Sequence, residues 1–338
     1  MPQKILIVGP AWIGDMVMAQ SLFKLLKQQH PEATIDVLAP GWTFSLLSCM
    51  PEVSRAIEMP LKHGELNLRM RYKIAKTLRD NKYDQAIVMQ NSFKSALIPW
   101  LAKIKKRTGW LGEFRHVVLN DSRRLNKKKY PLMIEQFMAL ALPPDSPLPE
   151  QYPHPEFNVT KEAQEAVLQK LKPLWRGRPV LALGAGAAFG PAKRWPENYF
   201  AQVANHKITD GWDVWLFGSE GDRALTEKIM ELTNHQCENI SGRTELSETL
   251  AMLSLVSGVV TNDSGLMHMA AALKKPVAVI YGPTSPSFTP PLSPDATILK
   301  LDLDCQPCFS RECPLKHHRC MQELTPDYVL NAMREWKA

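Results

Sequence analysis

The sequence predicts an α/β protein made of two successive domains, and three observations carry that reading. Short apolar runs of strand length alternate with helical patterns along most of the chain, a proline-rich stretch interrupts them near the middle, and a new strand followed by a small-residue loop restarts them. The 338 residues suit two domains, and 45% hydrophobic with 22% charged residues is a globular mixture, which excludes a disordered, collagen-like or disulfide-scaffold protein.

In chain order, residues 4–9 read as a short buried strand, and the loop 10–15 leads into a helical pattern carrying Met16, Ala19, Leu22, Phe23 and Leu26. Residues 34–39 (strand), 69–81 (helix) and 83–89 (strand) continue with the spacing of right-handed parallel crossovers. Six of the 27 prolines lie between residues 143 and 155, where they favour extended backbone and stop any helix. The boundary is expected there, with a first domain over 1–157, a second over 158–322, and a closing stretch 323–338 whose helix, 326–336, packs back on the first domain. The second series runs through a helix at 161–171, a strand at 179–183 and the loop Gly184-Ala185-Gly186-Ala187-Ala188. It goes on with helices at 199–207, 222–233, 247–255 and 266–273, and strands at 212–217, 256–261 and 276–281. Such domains in tandem are expected to leave a cleft at the carboxyl ends of their strands, where open α/β sheets bind ligands.

The longest uncharged stretches are 37–51, which is short, and 276–294, which carries six prolines; neither is the roughly 20-residue apolar helix a bilayer requires. The N-terminal apolar run is too short for a signal peptide and lacks a small-residue cleavage site, so a cytoplasmic location is expected. The net charge of +7 is uneven: residues 1–150 hold 22 Lys and Arg against 13 Asp and Glu, the remainder 19 against 21. The dense runs Lys103, Lys105, Lys106, Arg107 and Arg123, Arg124, Lys127, Lys128, Lys129 suit phosphates of nucleic acid, lipid or substrate, or else form a solvated face. No nucleic-acid reader motif or interleaved aromatic pattern accompanies them, so no nucleic-acid partner is expected.

Three segments have the makings of a site. Asn262-Asp263-Ser264-Gly265-Leu266-Met267-His268 falls where a strand gives way to a helix, an anion site if the helix amides are open, or a plain N-cap by Asp263 or Ser264 with a packed His268. The loop 184–195 combines small residues with Lys193 and Arg194, which suits a pyrophosphate, and Glu220 after the strand ending at Phe217 stands where a ribose diol could be held. No P-loop and no Gly-x-Gly-x-x-Gly after the first strand accompanies them. Trp12-Ile13-Gly14-Asp15 is the third: Asp15 is either a general base for an attacking hydroxyl or a cap of the helix that follows.

Taken in order, these segments resemble the bacterial heptosyltransferases of lipopolysaccharide core synthesis, glycosyltransferase family 9. Gly9-Pro10-Ala11-Trp12-Ile13-Gly14-Asp15-Met16, Asn91-Ser92-Phe93-Lys94-Ser95-Ala96-Leu97 and Arg107-Thr108-Gly109-Trp110 carry the likeness in the first half. Phe189-Gly190-Pro191-Ala192-Lys193-Arg194-Trp195-Pro196, the 261–268 segment and Tyr281-Gly282-Pro283-Thr284-Ser285-Pro286 carry it in the second. The resemblance implies a GT-B fold of two Rossmann-like domains, with acceptor on the first and sugar nucleotide on the second. It implies an inverting transfer of L-glycero-D-manno-heptose from ADP-heptose to the first heptose of the inner core, heptosyl-Kdo2-lipid A, at the cytoplasmic face of the inner membrane, where peripheral contact is expected. By position it makes Asp15 the base and Lys193 the cation beside the departing phosphate. It gives the diphosphate to Ala187, Ala188, Ser264 and Gly265, the ribose to Glu220, the heptose hydroxyls to Asp263 and the neighbourhood of adenine to 243–246. Trp12, Gly14, Thr244 and His268 complete the implied donor site, and Lys94 and Arg107 the implied acceptor contacts. A related member that adds the first heptose has hydroxyl residues where Ala187 and Ala188 stand, so here only their N–H groups meet phosphate.

No cofactor is then expected for catalysis, since Lys193, a helix N-terminus and loop amides supply the charge stabilisation. Cys305, Cys308, Cys313 and Cys320, with His317 and His318, have the ligand types of a small structural zinc site at a compact spacing, or are reduced thiols in a loop. The rival readings are a GT-B-shaped sugar-nucleotide epimerase and a basic membrane-surface or nucleic-acid binding module.

Overall fold

A parallel strand covered on both faces must be apolar on both faces. The computed structural model, which describes residues 3–61 and 64–336, shows that property in each central strand. Ile5, Leu6, Ile7 and Val8 of β1 (Lys4–Val8) and Val180, Leu181, Ala182 and Leu183 of β7 (Val180–Gly184) are completely buried. The chain divides into two units, Met1–Pro155 and Glu156–Ala338. Phe157, expected in the first domain, is buried in the second unit, where its N–H donates to Ala272 O.

In the first unit β2 (Thr34–Ala39), β3 (Arg55–Glu58), β4 (Gln85–Val88), β5 (Lys106–Trp110) and β6 (Asp121–Arg123) join β1 in a six-stranded sheet, every pair parallel, in the order β3-β2-β1-β4-β5-β6. Its helices are α1 (Ile13–Gln29), α2 (Phe44–Leu47), α3 (Leu68–Arg79), α4 (Phe93–Leu101) and α5 (Met133–Met138). The second unit repeats the plan: β8 (Asp213–Phe217), β9 (Glu238–Asn239), β10 (Gly258–Asn262), β11 (Val277–Ile280) and β12 (Ala296–Leu299) join β7 in the order β12-β11-β10-β7-β8-β9, again all parallel. Its helices are α6 (Lys161–Leu171), α7 (Glu197–Thr209), α8 (Arg223–Leu232), α9 (Leu246–Leu255), α10 (Gly265–Ala272), α11 (Arg319–Gln322) and α12 (Pro326–Ala332).

Numbered within its own unit, each sheet has the doubly wound order 3-2-1-4-5-6. The chain reverses direction between β1 and β4 in one unit and between β7 and β10 in the other, and ligands of such sheets bind outside the carboxyl ends of the strands at that point. The loops there are 9–12 and 89–92 in the first unit, and 185–196 and 263–264 in the second. The expectation that the last helix packs on the first domain is corrected. Val329 and Met333 of α12 and its C-terminal turn are fully buried in the core of the second unit with Trp195, Phe200 and Trp212, because Thr325-Pro326 starts the helix where its apolar stripe meets α7 and β12.

No helix among the described residues is long and apolar enough to cross a membrane.

Candidate active site

In the second unit the reversal point is built around Asn262, the last residue of β10. It is fully buried; its Oδ1 accepts the Trp195 N–H at 3.1 Å, and its Nδ2 donates to Ala185 O at 2.7 Å. One side chain therefore pins both ends of the 185–195 loop to the sheet. That loop places Lys193 with its ammonium 2.6 Å from Asp263 Oδ2 and 3.2 Å from Asp263 O. Both side chains are largely out of solvent, and the Thr284 hydroxyl donates to the same carboxylate oxygen at 2.5 Å. Asp263 thus holds Lys193 and Thr284 through Oδ2. Ser264 sits at the N-cap of α10 without a side-chain cap bond; its hydroxyl lies 3.3 Å from Thr261 Oγ1. Gly265 opens α10, and Ser264 leaves that helix start without a side-chain cap bond. The capping alternative for Asp263 or Ser264 is therefore corrected.

Ala187 is buried and Ala188 exposed in the same loop, and neither carries a side-chain hydrogen-bonding group. Two cations lie over Phe189: Lys193 Nζ is 5.1 Å from its ring centre and the Arg311 guanidinium 5.7 Å. The Arg311 carbonyl accepts the Ala192 N–H at 3.0 Å, so the cysteine-bearing segment buttresses the loop. Sequence reasoning passed over Arg311, as nothing in its spacing connects it with residues 189–193. It also passed over Asp222, whose carboxylate accepts the Ser219 N–H and hydroxyl at 3.0 and 2.6 Å and abuts Gly186.

Glu220, mostly exposed, begins the turn before α8 and lies 3.7 Å from Arg223. Its carboxylate occupies the space a Cβ on residue 242 would need, and Gly242 has a φ of 71°, so only glycine suits that position. Glu220 and the 242–244 turn are thereby neighbours, and the Thr244 hydroxyl is 2.9 Å from that of Thr249. His268 is buried in α10, near Asp263 and Lys193. Burial pushes its pKa down to about 4; Asp263 opposes that shift and Lys193 reinforces it, so the imidazole is neutral at pH 7.

In the first unit Trp12 is the N-cap of α1, half-exposed and without a side-chain cap bond, and Gly14 and Asp15 follow in the first turn. Asp15 is an acidic side chain in the first turn, at the positive end of α1. Gln90 Nε2 donates to Gly9 O at 2.8 Å, tying the loops after β4 and β1 together. Lys94 lies in the first turn of α4. Arg107 has a different task from the expected acceptor contact: its Nε donates to Val118 O and its Nη1 to Ile104 O, at 2.7 and 2.5 Å, which anchors β5. Arg123, counted in the second basic run, is buried against Asp121 and the carbonyls of Ala139 and Leu142.

The four C-terminal cysteines and His317 and His318 line one small cavity, with Ala192, Pro283 and Gln306. Among the described residues no group of three or more His, Cys, Asp or Glu side chains is arranged to hold a metal ion, so the zinc expectation finds no support in this geometry.

Two α/β sheets of this order, with a paired lysine and a helix start without a side-chain cap bond at one reversal point, define an α/β protein of the GT-B type. The family model of glycosyltransferase family 9 (heptosyltransferase) matches residues 71–319, and the chain belongs to that family. It is a glycosyltransferase. It is 42% identical to lipopolysaccharide heptosyltransferase 2 of Salmonella typhimurium, over 98% of this chain and 97% of that one. It is 44% identical to lipooligosaccharide heptosyltransferase 2 of Haemophilus influenzae, over 98% of both. The solved structure of E. coli ADP-heptose lps heptosyltransferase II superposes with a TM-score of 0.89 at 40% identity, covering 98% of each chain.

Two outcomes are expected. Asn262→Ala leaves the buried Trp195 N–H and Ala185 carbonyl without partners and should cost about 2–4 kcal/mol in urea unfolding. A loss near zero would show that Asn262 does not hold the loop. His268 is neutral when folded and has an ordinary pKa near 6.5 when unfolded, so its contribution is intact above that pH and is lost as the pH falls toward 4. From pH 7 to 5 the wild type should lose about 2 kcal/mol more than His268→Gln, measured in parallel denaturation series.

Proposed function

We propose that this chain transfers L-glycero-D-manno-heptose from ADP-heptose, with inversion, to the first heptose of heptosyl-Kdo2-lipid A, working in the cytoplasm in peripheral contact with the inner membrane. The observation that carries the reading is the Lys193–Asp263 pair at the mouth of the uncapped helix α10, flanked by the side-chain-poor loop 185–190. In an inverting displacement the acceptor hydroxyl attacks the anomeric carbon as the bond to the ADP β-phosphate breaks, so negative charge grows on that phosphate. The Lys193 ammonium, the N–H groups of Ala187, Ala188 and Gly265 and the α10 dipole hold the diphosphate and stabilise this charge more in the transition state than in the ground state. Asp263 orients Lys193 and offers its carboxylate to the heptose hydroxyls, Glu220 takes the ribose diol, and the turn at Thr244 and the neutral His268 complete the donor site. Asp15, with Trp12 and Gly14 shaping its loop, takes the proton of the attacking hydroxyl. Lys94 meets the anionic acceptor. No metal is needed in this scheme, and no nucleic acid is a partner. The exposed Arg124, Lys127 and Lys128 supply attraction to an anionic surface.

The test is ADP release from ADP-heptose with a heptosyl-Kdo2 acceptor beside one lacking the heptose, the linkage of the product being read by NMR. Transfer to the heptose-bearing acceptor alone supports the reading; transfer only to the shorter one, or none, overturns it. Asp15→Asn should lower kcat by about 10²–10⁴ with little change in ADP affinity. Lys193→Ala should weaken ADP binding and kcat together, because it also strips Asp263 of its counter-charge beside the diphosphate. Adding Asp263→Asn to Lys193→Ala should then restore part of the ADP affinity, measured by calorimetry, and no restoration would show that the pair does not face the diphosphate.

A further inference from the structure

On the donor reading, Glu220 meets the ribose and the loop 185–195 the diphosphate, yet the two segments come from different strands of the second unit. The loop follows β7 and is pinned to the sheet by Asn262, whereas 218–222 follows β8 and ends in a single tight helical turn, Glu220–Asp222, that runs into α8. Ribose and diphosphate are joined through one methylene and an ester oxygen, so a site that reads both needs the two segments at a fixed spacing. Glu220 does not set that spacing. Its side chain is 72% exposed and lies 3.7 Å from Arg223, within its own stretch of chain.

Asp222 stands between the two segments, with its side chain only 13% exposed. Oδ2 accepts the Ser219 N–H at 3.0 Å and the Ser219 hydroxyl at 2.6 Å, and the Asp222 N–H donates back to Ser219 O at 3.0 Å, which closes the turn around Glu220. Oδ1 lies 3.9 Å from Arg194 Nη2, so the charge is answered from the loop side and draws loop and turn together. The carboxylate packs flat on the backbone of Gly186: a Cβ on residue 186 would collide with its carbon and both of its oxygens. Gly218 is pressed from the other side, since a Cβ there would stand 2.9 Å from Asp222 Cβ and 3.0 Å from Ser241 Oγ. The Ser241 hydroxyl is buried without a hydrogen-bond partner, and Gly218 O accepts the Gly242 N–H at 3.1 Å, so the turn after β9 is packed onto the same junction. Three segments meet at one carboxylate, and the missing side chains at 186 and 218 are what admit it.

We propose that Asp222 is a positioning residue of the donor site: it locks the turn carrying Glu220 onto the Gly186 loop and so sets the distance at which ribose and diphosphate are recognised together. The proposal deepens the donor reading above and rests on it. Without the lock, ribose binding has to order an exposed carboxylate on a loose turn; with it, that ordering is complete before the nucleotide arrives. The diphosphate does not depend on the lock, because Asn262 and the Lys193–Asp263 pair hold the loop by themselves. The two halves of the nucleotide should therefore respond differently to the loss of Asp222.

Binding of ADP, 2′-deoxy-ADP and inorganic pyrophosphate to the full chain is measured by calorimetry. Wild type should favour ADP over 2′-deoxy-ADP about tenfold or more, the worth of a hydrogen bond to a charged group. In Asp222→Ala that preference should shrink to about twofold or less through loss of ADP affinity, while pyrophosphate binds as in wild type. The KM for ADP-heptose should rise in the same variant and the KM for acceptor stay. Asp222→Asn keeps an acceptor for Ser219 and the shape against Gly186, so its preference for ADP should lie within about threefold of the wild-type value. Ser219→Ala removes the shorter of the two bonds and leaves the carboxylate in place; it should lose part of the preference, and it covers the case in which Asp222→Ala does not fold. An undiminished preference for ADP in Asp222→Ala or Ser219→Ala, or an equal weakening of ADP and pyrophosphate, overturns the proposal. If wild type itself binds ADP and 2′-deoxy-ADP alike, the ribose reading of Glu220 falls and takes the proposal with it.

Discussion

An ammonium and a carboxylate held 2.6 Å apart and nearly out of water carry a large desolvation penalty, and the second unit is arranged around meeting it. Asp263 holds Lys193 at the mouth of α10, and the Thr284 hydroxyl donates to the same carboxylate oxygen. The buried Asn262 fixes the separation of the loops that bear them. Breaking such a pair by removing one partner is far more damaging than never having built it, so its persistence argues for a use beyond stability. On the proposed reading a diphosphate is that use: it brings negative charge to a lysine already aimed and dehydrated.

Charge counting misstates the first unit. Its excess of cations in the sequence looks like a surface field, yet Arg71, Arg107 and Arg123 all donate to backbone carbonyls and act as struts. Guanidinium groups suit that work because a rigid fork can satisfy two or three carbonyls at once, which an ammonium on a flexible stem does less well. The cations left for solvent are chiefly lysines, with Arg55, Arg69 and Arg124 beside them. Lys129 among these donates to Asp145 O and lies over the Tyr130 ring, so even the basic run 127–129 is partly structural.

How much was legible follows from where the apolar residues stand. Helices 161–171 and strand 34–39 match the observed bounds, because Thr160 caps the first and five buried residues in a row mark the second. Three of the four edge strands, Arg55–Glu58, Asp121–Arg123 and Glu238–Asn239, are short and carry charged residues, and no period distinguishes them from loop. Helix Phe93–Leu101 was hidden by Pro99 in its last turns, and the C-terminal helix was legible in extent but not in partner, since an apolar stripe does not say which core it enters. In the site, glycines, lysine and helix start were readable from local chemistry. Thr284, Asp222 and Arg311 were not, because each reaches its place through contacts distant in sequence that no spacing records.

The two units share one strand order, and each presents a helix N-terminus near its reversal point, but the ends are finished differently. At α10 the cap position holds a serine turned toward Thr261, which leaves the helix start without a side-chain cap bond, and on the proposed reading the donor phosphate meets that end. At α4 the serine is equally unused, and Glu113 closes the end from outside. One sheet plan used twice thus yields two differently finished helix starts, and the difference comes down to a single carboxylate on a left-handed turn.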